Sequence, residues 1–121
     1  MGKNVLIAED DKNIGNLIRE IVERKGNNAI VTANGSDAYE VFSNIKFDLL
    51  ITDLKMPKLD GINLIKLIRE KNKSIPIIII TGYGSERNKK LAENYGVSKF
   101  LSKPCSILDI TLAIEQSLKP N

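Results

Sequence analysis

Val5-Leu6-Ile7-Ala8-Glu9-Asp10-Asp11 sets four apolar residues directly before three acids. A short apolar run bounded by polar residues reads as a buried parallel strand, which leaves the acids at its carboxyl end. The pattern recurs where Leu49-Leu50-Ile51-Thr52 runs into Asp53, and Lys103-Pro104 follows Phe100-Leu101. In an open α/β sheet the carboxyl ends of such strands converge on one crevice, and ligands bind there. The carboxylates and the lysine are therefore expected to meet in space although far apart in sequence.

Outward from these runs, strand alternates with helix. Ile14, Leu17, Ile18, Ile21 and Val22 form an amphipathic stripe that Gly26-Asn27-Asn28 ends, glycine suiting the left-handed residue of a helix stop. Ala29–Thr32 is a short strand, followed by a stripe of Ala38, Val41, Phe42 and Ile45. Leu49–Thr52 leads to Ile62, Ile65 and Ile68, entered through Asp60-Gly61 with Asp60 as N-cap. Pro76 opens the strand Ile77–Ile80, an accepted place for proline. Between Ser85 and Tyr95 only Leu91, Ala92 and Tyr95 offer burial, so the fourth helix is expected to be weakly held. Ile107, Ile110, Ile114 and Leu118 mark the last helix, with Pro120 beyond it. Five such units predict an α/β fold: a doubly wound parallel sheet covered by helices on both faces, in a single domain over 1–121.

Composition agrees. A chain of 121 residues, 42% hydrophobic and 27% charged, has the size and balance of one soluble globular domain. The net charge of +3 comes from scattered lysines, which gives no reason to expect nucleic-acid binding; Arg87, Lys89 and Lys90 read as a solvated helix face. Cys105 is the only cysteine and the chain has no histidine, so neither an internal disulfide nor a Cys–His nucleophile is expected. A reducing compartment suits that usage. Met1-Gly2-Lys3-Asn4 leaves no room for a signal peptide before Val5, and no apolar run approaches the roughly 18 residues of a membrane span. The expectation is a cytoplasmic protein with no membrane partner.

The ordered segments Val5–Asp11, Asp53-Leu54-Lys55-Met56-Pro57-Lys58-Leu59-Asp60-Gly61, Pro76 through Thr81-Gly82-Tyr83-Gly84, and Lys103-Pro104 resemble the receiver domain of two-component response regulators over essentially the whole chain. The resemblance implies a flavodoxin-like (βα)5 fold with strand order 2-1-3-4-5. It also implies phosphotransfer to Asp53 from a sensor histidine kinase, a phosphotransfer protein or a small phosphodonor. The output partner would then be contacted through the fourth helix, fifth strand and fifth helix. The same resemblance assigns the Lys55 backbone carbonyl to the metal site and a cis bond to Lys103-Pro104. It makes Phe100 the switch aromatic working with Thr81, and it places Lys55 and Tyr83 beside the path of hydrolytic water.

The chemistry of the residues is consistent with those roles. A carboxylate nucleophile needs no general base to attack phosphorus, so the lack of histidine is no obstacle to that role for Asp53. Glu9, Asp10 and Asp53 offer hard oxygens suited to Mg²⁺, with Mn²⁺ as the alternative, Glu9 directly or through water. Lys103 offers an ammonium and Thr81 a hydroxyl to phosphoryl oxygens. Asp11 is expected to cap the first helix rather than bind metal. Thr52 is expected to point away from the site. A haloacid-dehalogenase-type enzyme needs an acid two residues past the nucleophile, where this chain has Lys55. A flavodoxin needs a Ser/Thr/Gly-rich loop where this chain has Glu9-Asp10-Asp11. The remaining alternatives are a receiver-like interaction module that is not phosphorylated, or an isolated fragment of a larger regulator or hybrid kinase.

Overall fold

The computed structural model describes residues 2–119; Pro120, expected just past the last helix, lies outside them. The elements are β1 (Asn4–Ala8), α1 (Lys12–Arg24), β2 (Asn28–Thr32), α2 (Gly35–Asn44), β3 (Leu49–Thr52), α3 (Gly61–Lys71), β4 (Ile77–Thr81), α4 (Glu86–Asn94), β5 (Lys99–Ser102) and α5 (Ile107–Leu118). The five strands are parallel, in the order β2-β1-β3-β4-β5. This is the doubly wound sheet that the alternation of runs and stripes predicted.

The pleat divides the core in two. Leu6, Leu50, Ile77 and Ile79 face one side, where they pack with Ala38 of α2, with Leu64, Ile65 and Ile68 of α3, and with Ala92 of α4. Val5, Ile7, Leu49, Ile51, Ile78 and Ile80 face the other and meet Ile18, Ile21 and Val22 of α1 and Ile110, Ala113 and Ile114 of α5. Strands buried on both faces read as continuous apolar runs rather than alternating ones, as β3 and β4 do. Each fully buried Leu or Ile contributes about 1.5–3 kcal/mol, so the three central strands hold the sheet ends in place.

Helix ends follow the sequence. Asp11 accepts from the amides of Asn13 and Ile14 at 2.9 and 3.2 Å, and Asp60 accepts from Asn63 at 2.8 Å. Gly26, at φ 81°, follows the last turn of α1. Two stripe residues depart from expectation. α2 stops at Asn44, leaving Ile45 in extended backbone and 43% exposed. Ile107 opens α5 and is 57% exposed, because Ile110, Ala113 and Ile114 fill the core side of that helix. Leu64 joins the α3 stripe instead. α4 buries only Ala92, as its thin stripe predicted. Among the described residues, no helix is long and apolar enough to cross a membrane.

Arg69 gives α4 a fixed end. Its guanidinium donates to the carbonyls of Tyr95 (2.6 Å), Gly96 (3.2 Å), Ile75 (2.8 Å) and Asn72 (3.2 Å). One planar fork thus satisfies carbonyls at the carboxyl ends of both α3 and α4.

Candidate functional site

The register of three strands assembles the site. The Glu9 amide donates to Thr32 O at 2.9 Å and the Asp53 amide to Ala8 O at 3.0 Å, so the ends of β1, β2 and β3 stay level. The Lys103 amide donates to Thr81 O at 2.8 Å, which aligns the end of β5 with β4. α3 starts hard against the Asp53 backbone; a Cβ at Gly61 would collide with the Asp53 carbonyl, so only glycine fits there.

Glu9 and Asp53 are almost fully buried, at 3% and 5% exposure, while Asp10 is exposed. Carboxylate oxygens of Glu9, Asp10 and Asp53 lie within 4.8 Å of one another. Lys103 Nζ bridges two of the acids, 2.8 Å from Glu9 Oε1 and 2.7 Å from Asp53 Oδ2. The other Asp53 oxygen, Oδ1, accepts from the Leu54 amide at 2.6 Å and more weakly from Lys55 at 3.4 Å. Glu9 Oε2 accepts from the Asp11 amide at 3.1 Å. The carboxylate orientations are therefore set by backbone and lysine together.

Three carboxylates face one ammonium, so the cluster is short of positive charge. Burial pushes the Glu9 carboxyl above its usual range despite the Lys103 bond and the Asp11 amide. Burial also pulls the Lys103 ammonium down, but its bonds to Asp53 and Glu9 prevail and hold it above the ordinary lysine value. An all-oxygen, anion-rich set of this kind fits a hard divalent cation.

These groups open on a cleft of about 650 Å³ lined by Glu9, Asp10, Asp11, Asp53, Lys55, Met56, Pro57, Tyr83 and Lys103. Lys55 and Tyr83, expected beside the cleft, also touch each other: Lys55 Nζ lies 4.8 Å from the Tyr83 ring centroid. Sequence reasoning did not single out Met56 and Pro57 as lining residues, although both stand in the stretch after Asp53 that carries the resemblance.

Thr81 and Phe100 lie elsewhere. Thr81 is 0% exposed, does not line the cleft, and its hydroxyl accepts from the Tyr83 amide at 3.1 Å. Thr81 is therefore enclosed in this state rather than open to the cleft. Phe100 pairs with Ile79 across β4 and β5 and packs on the α3–α4 side of the sheet. Its ring edge rests against Gly84, where a Cβ would come to 3.1 Å, with Lys89 Nζ 5.9 Å from its centroid. Thr52 turns from the cleft and bonds the Asp53 carbonyl. The Lys103-Pro104 bond is cis, as the resemblance implied.

Comparison with known proteins gives this geometry a family. The model of the response regulator receiver domain matches residues 5–115. The transcriptional regulatory protein RprY of Bacteroides fragilis is 34% identical over 115 residues, 95% of this chain and 49% of that protein. CpxR of Escherichia coli is 31% identical, with the same coverage of 95% and 49%. The chain thus spans about half the length of the curated relatives it matches. Among solved structures, the receiver domain of a Francisella response regulator is 32% identical with a TM-score of 0.88, covering 97% of each chain. A CheY-like receiver domain from Methanospirillum hungatei gives 26% identity and a TM-score of 0.93, covering 98% of this chain and 94% of that one. Sheet order, cleft and sequence agree, and the chain belongs to the response regulator receiver domain family.

Proposed function

We propose that this chain accepts a phosphoryl group on Asp53 from a sensor histidine kinase, a phosphotransfer protein or a small phosphodonor, and alters its α4–β5–α5 face in response. Receiver domains act as phosphoacceptors in two-component signalling and work with histidine kinases and output domains. One observation carries the assignment to Asp53. It is the buried carboxylate held 2.7 Å from Lys103 and within 4.8 Å of Glu9 and Asp10 oxygens, at the floor of the cleft.

Asp53 Oδ1 is pinned by backbone amides, leaving Oδ2 to form the bond to phosphorus. As that bond forms, the bond from phosphorus to the donor nitrogen or oxygen breaks, and the leaving group takes the electron pair. Glu9, Asp10, Asp53 and the Lys55 carbonyl would hold Mg²⁺, or Mn²⁺ in its place, whose charge would offset the repulsion between the two anions. Lys103 transfers its hydrogen bond from the Asp53 carboxylate to a phosphoryl oxygen. Thr81 must release the Tyr83 amide to donate to another. That inward turn vacates space for the Phe100 ring and shifts the β4–α4 loop resting on it. Lys55 and Tyr83 cover the approach of water and slow hydrolysis. Residues 1–121 form one receiver domain in this account, whether it acts alone or within a longer regulator.

Intact-mass spectrometry with acetyl phosphate and Mg²⁺ tests the assignment. One phosphoryl adduct is expected, absent with EDTA and absent from Asp53→Asn. An adduct that persists in Asp53→Asn contradicts it.

A further inference from the structure

We infer that the amino edge of the sheet carries a binding hollow for an oligophosphate group, built by Lys73, Lys99, Lys119 and Ser117. The hollow lies where β4 and β5 begin, at the opposite end of the strands from Asp53, and the argument for it does not depend on phosphorylation.

Lys73 and Ser74 stand just before β4, Ser98 and Lys99 at the start of β5, and Ser117 and Lys119 at the end of α5. Together they line a cavity of about 470 Å³ whose wall contains no aspartate or glutamate. Among the described residues no carboxylate is in ion-pair contact with Lys73, Lys99 or Lys119, whereas Lys25 and Lys103 are both paired. The lysines therefore bring positive charge to one hollow with no carboxylate to offset it. The cleft at the carboxyl ends is the reverse, with its acids in excess over Lys103.

Arg69 prepares the wall. Bare carbonyls repel an anion, but those of Ile75 and Gly96 accept from its guanidinium at 2.8 and 3.2 Å. Ser117 is unsatisfied: its Oγ is the one buried side-chain polar atom without a hydrogen-bond partner among the described residues. Buried hydroxyls are normally paired. Ser117 as a whole is only half-buried and lines the hollow, so a change of rotamer brings its hydroxyl to a ligand there.

Charge and shape select the ligand. A lysine ammonium is a point charge that binds phosphoryl oxygens, and a serine hydroxyl donates to them as well. Lysines on three sides of one hollow suit a compact anion of several charges, a di- or triphosphate group, better than a single carboxylate. A nucleic-acid backbone needs a basic stripe, while these charges surround a recess. The recess adjoins a second hollow of about 650 Å³ that shares Arg69, Lys73 and Gly96 and is walled further along by Tyr95. A nucleotide has room for its base there; an inorganic oligophosphate needs only the first hollow.

Amide NMR on the whole chain, titrated with inorganic triphosphate in EDTA at low salt, tests this directly. Without a divalent cation the acidic cleft repels the probe. Saturable shifts are expected at Ser74, Ser98, Lys99 and Ser117, with Asp10, Asp53 and Lys103 unmoved. Lys73→Gln and Lys99→Gln should each weaken affinity about tenfold, and Ser117→Ala severalfold. Lys12→Gln, which removes the same charge at the start of α1, should leave it unchanged. Far-UV circular dichroism checks folding; if one variant does not fold, the others decide. A parallel titration with ATP assigns the source: tighter binding than triphosphate points to a nucleotide, binding no tighter to the phosphate chain alone. Shifts that never saturate or that centre on the cleft overturn the proposal. Affinity that is unchanged in the folded lysine or serine variants, or that falls as far in Lys12→Gln, overturns it as well.

Discussion

Lys55 and Tyr83 show how far a single residue's role can be reasoned. Their contact at 4.8 Å joins two exposed side chains at the edge of the cleft, which is the arrangement the proposed cover needs. Trimming either to alanine should change the decay of the phosphorylated protein, followed by phosphate release, without preventing its formation; unchanged decay in both would remove them from the account. Thr81 carries a different expectation. Its hydroxyl holds the Tyr83 amide in this state, so Thr81→Ala should cost about 1 kcal/mol in denaturant unfolding. The variant should still be phosphorylated, with the conformational response diminished. Cys105 illustrates a residue outside the chemistry. Burial first, and Asp109 second, push its thiol up, which keeps it neutral at neutral pH. Alkylation by iodoacetamide should therefore be slower than for a free cysteine and should accelerate as pH rises past the ordinary thiol range.

Among the helices, α4 has the thinnest hold on the core. It buries only Ala92, whereas α3 buries Leu64, Ile65 and Ile68. Its carboxyl end is held by the Arg69 fork, so motion should be concentrated toward Ser85 and Glu86. Arg69→Gln should lower stability by about 2–3 kcal/mol, and Arg69→Lys should not restore it, because a single ammonium cannot span carbonyls arranged for a planar fork. Equal stability of wild type and Arg69→Lys in urea would contradict that reading. The sequence carried no sign of this fork, since Arg69 falls within an ordinary helical stripe and its partners lie up to 27 residues away. Stripe ends were hard to read for a related reason. Ile45 and Ile107 fit the helical period, but periodicity cannot say where the core runs out, and both sit at helix boundaries. Strand identities were legible because β1, β3 and β4 are buried on both faces and bounded by charge or proline.

At the scale of the whole molecule, the fold brings distant acids together at an electrostatic cost that a bound cation would relieve. Glu9, raised by its burial, and Asp53 face one lysine. Mg²⁺ should therefore raise the melting temperature, with a gain of about 2.7 kcal/mol at a hundredfold excess over Kd, and Asp10→Asn should diminish the shift. The sequence made this cluster legible because each acid ends an apolar run, and parallel strands deliver such ends to one place. It could not show that Thr81 lies behind the cleft wall or that Gly84 and Lys89 flank Phe100. Those facts matter for the central claim, that a phosphoryl group on Asp53 is felt on the α4–β5–α5 face. Mapping amide NMR shifts before and after phosphorylation tests it most directly. The account predicts changes at the cleft that continue through Thr81 and Phe100 to Leu91 of α4. Changes confined to Glu9–Asp11, Asp53–Pro57 and Lys103, with Phe100 and α4 unmoved, would contradict it.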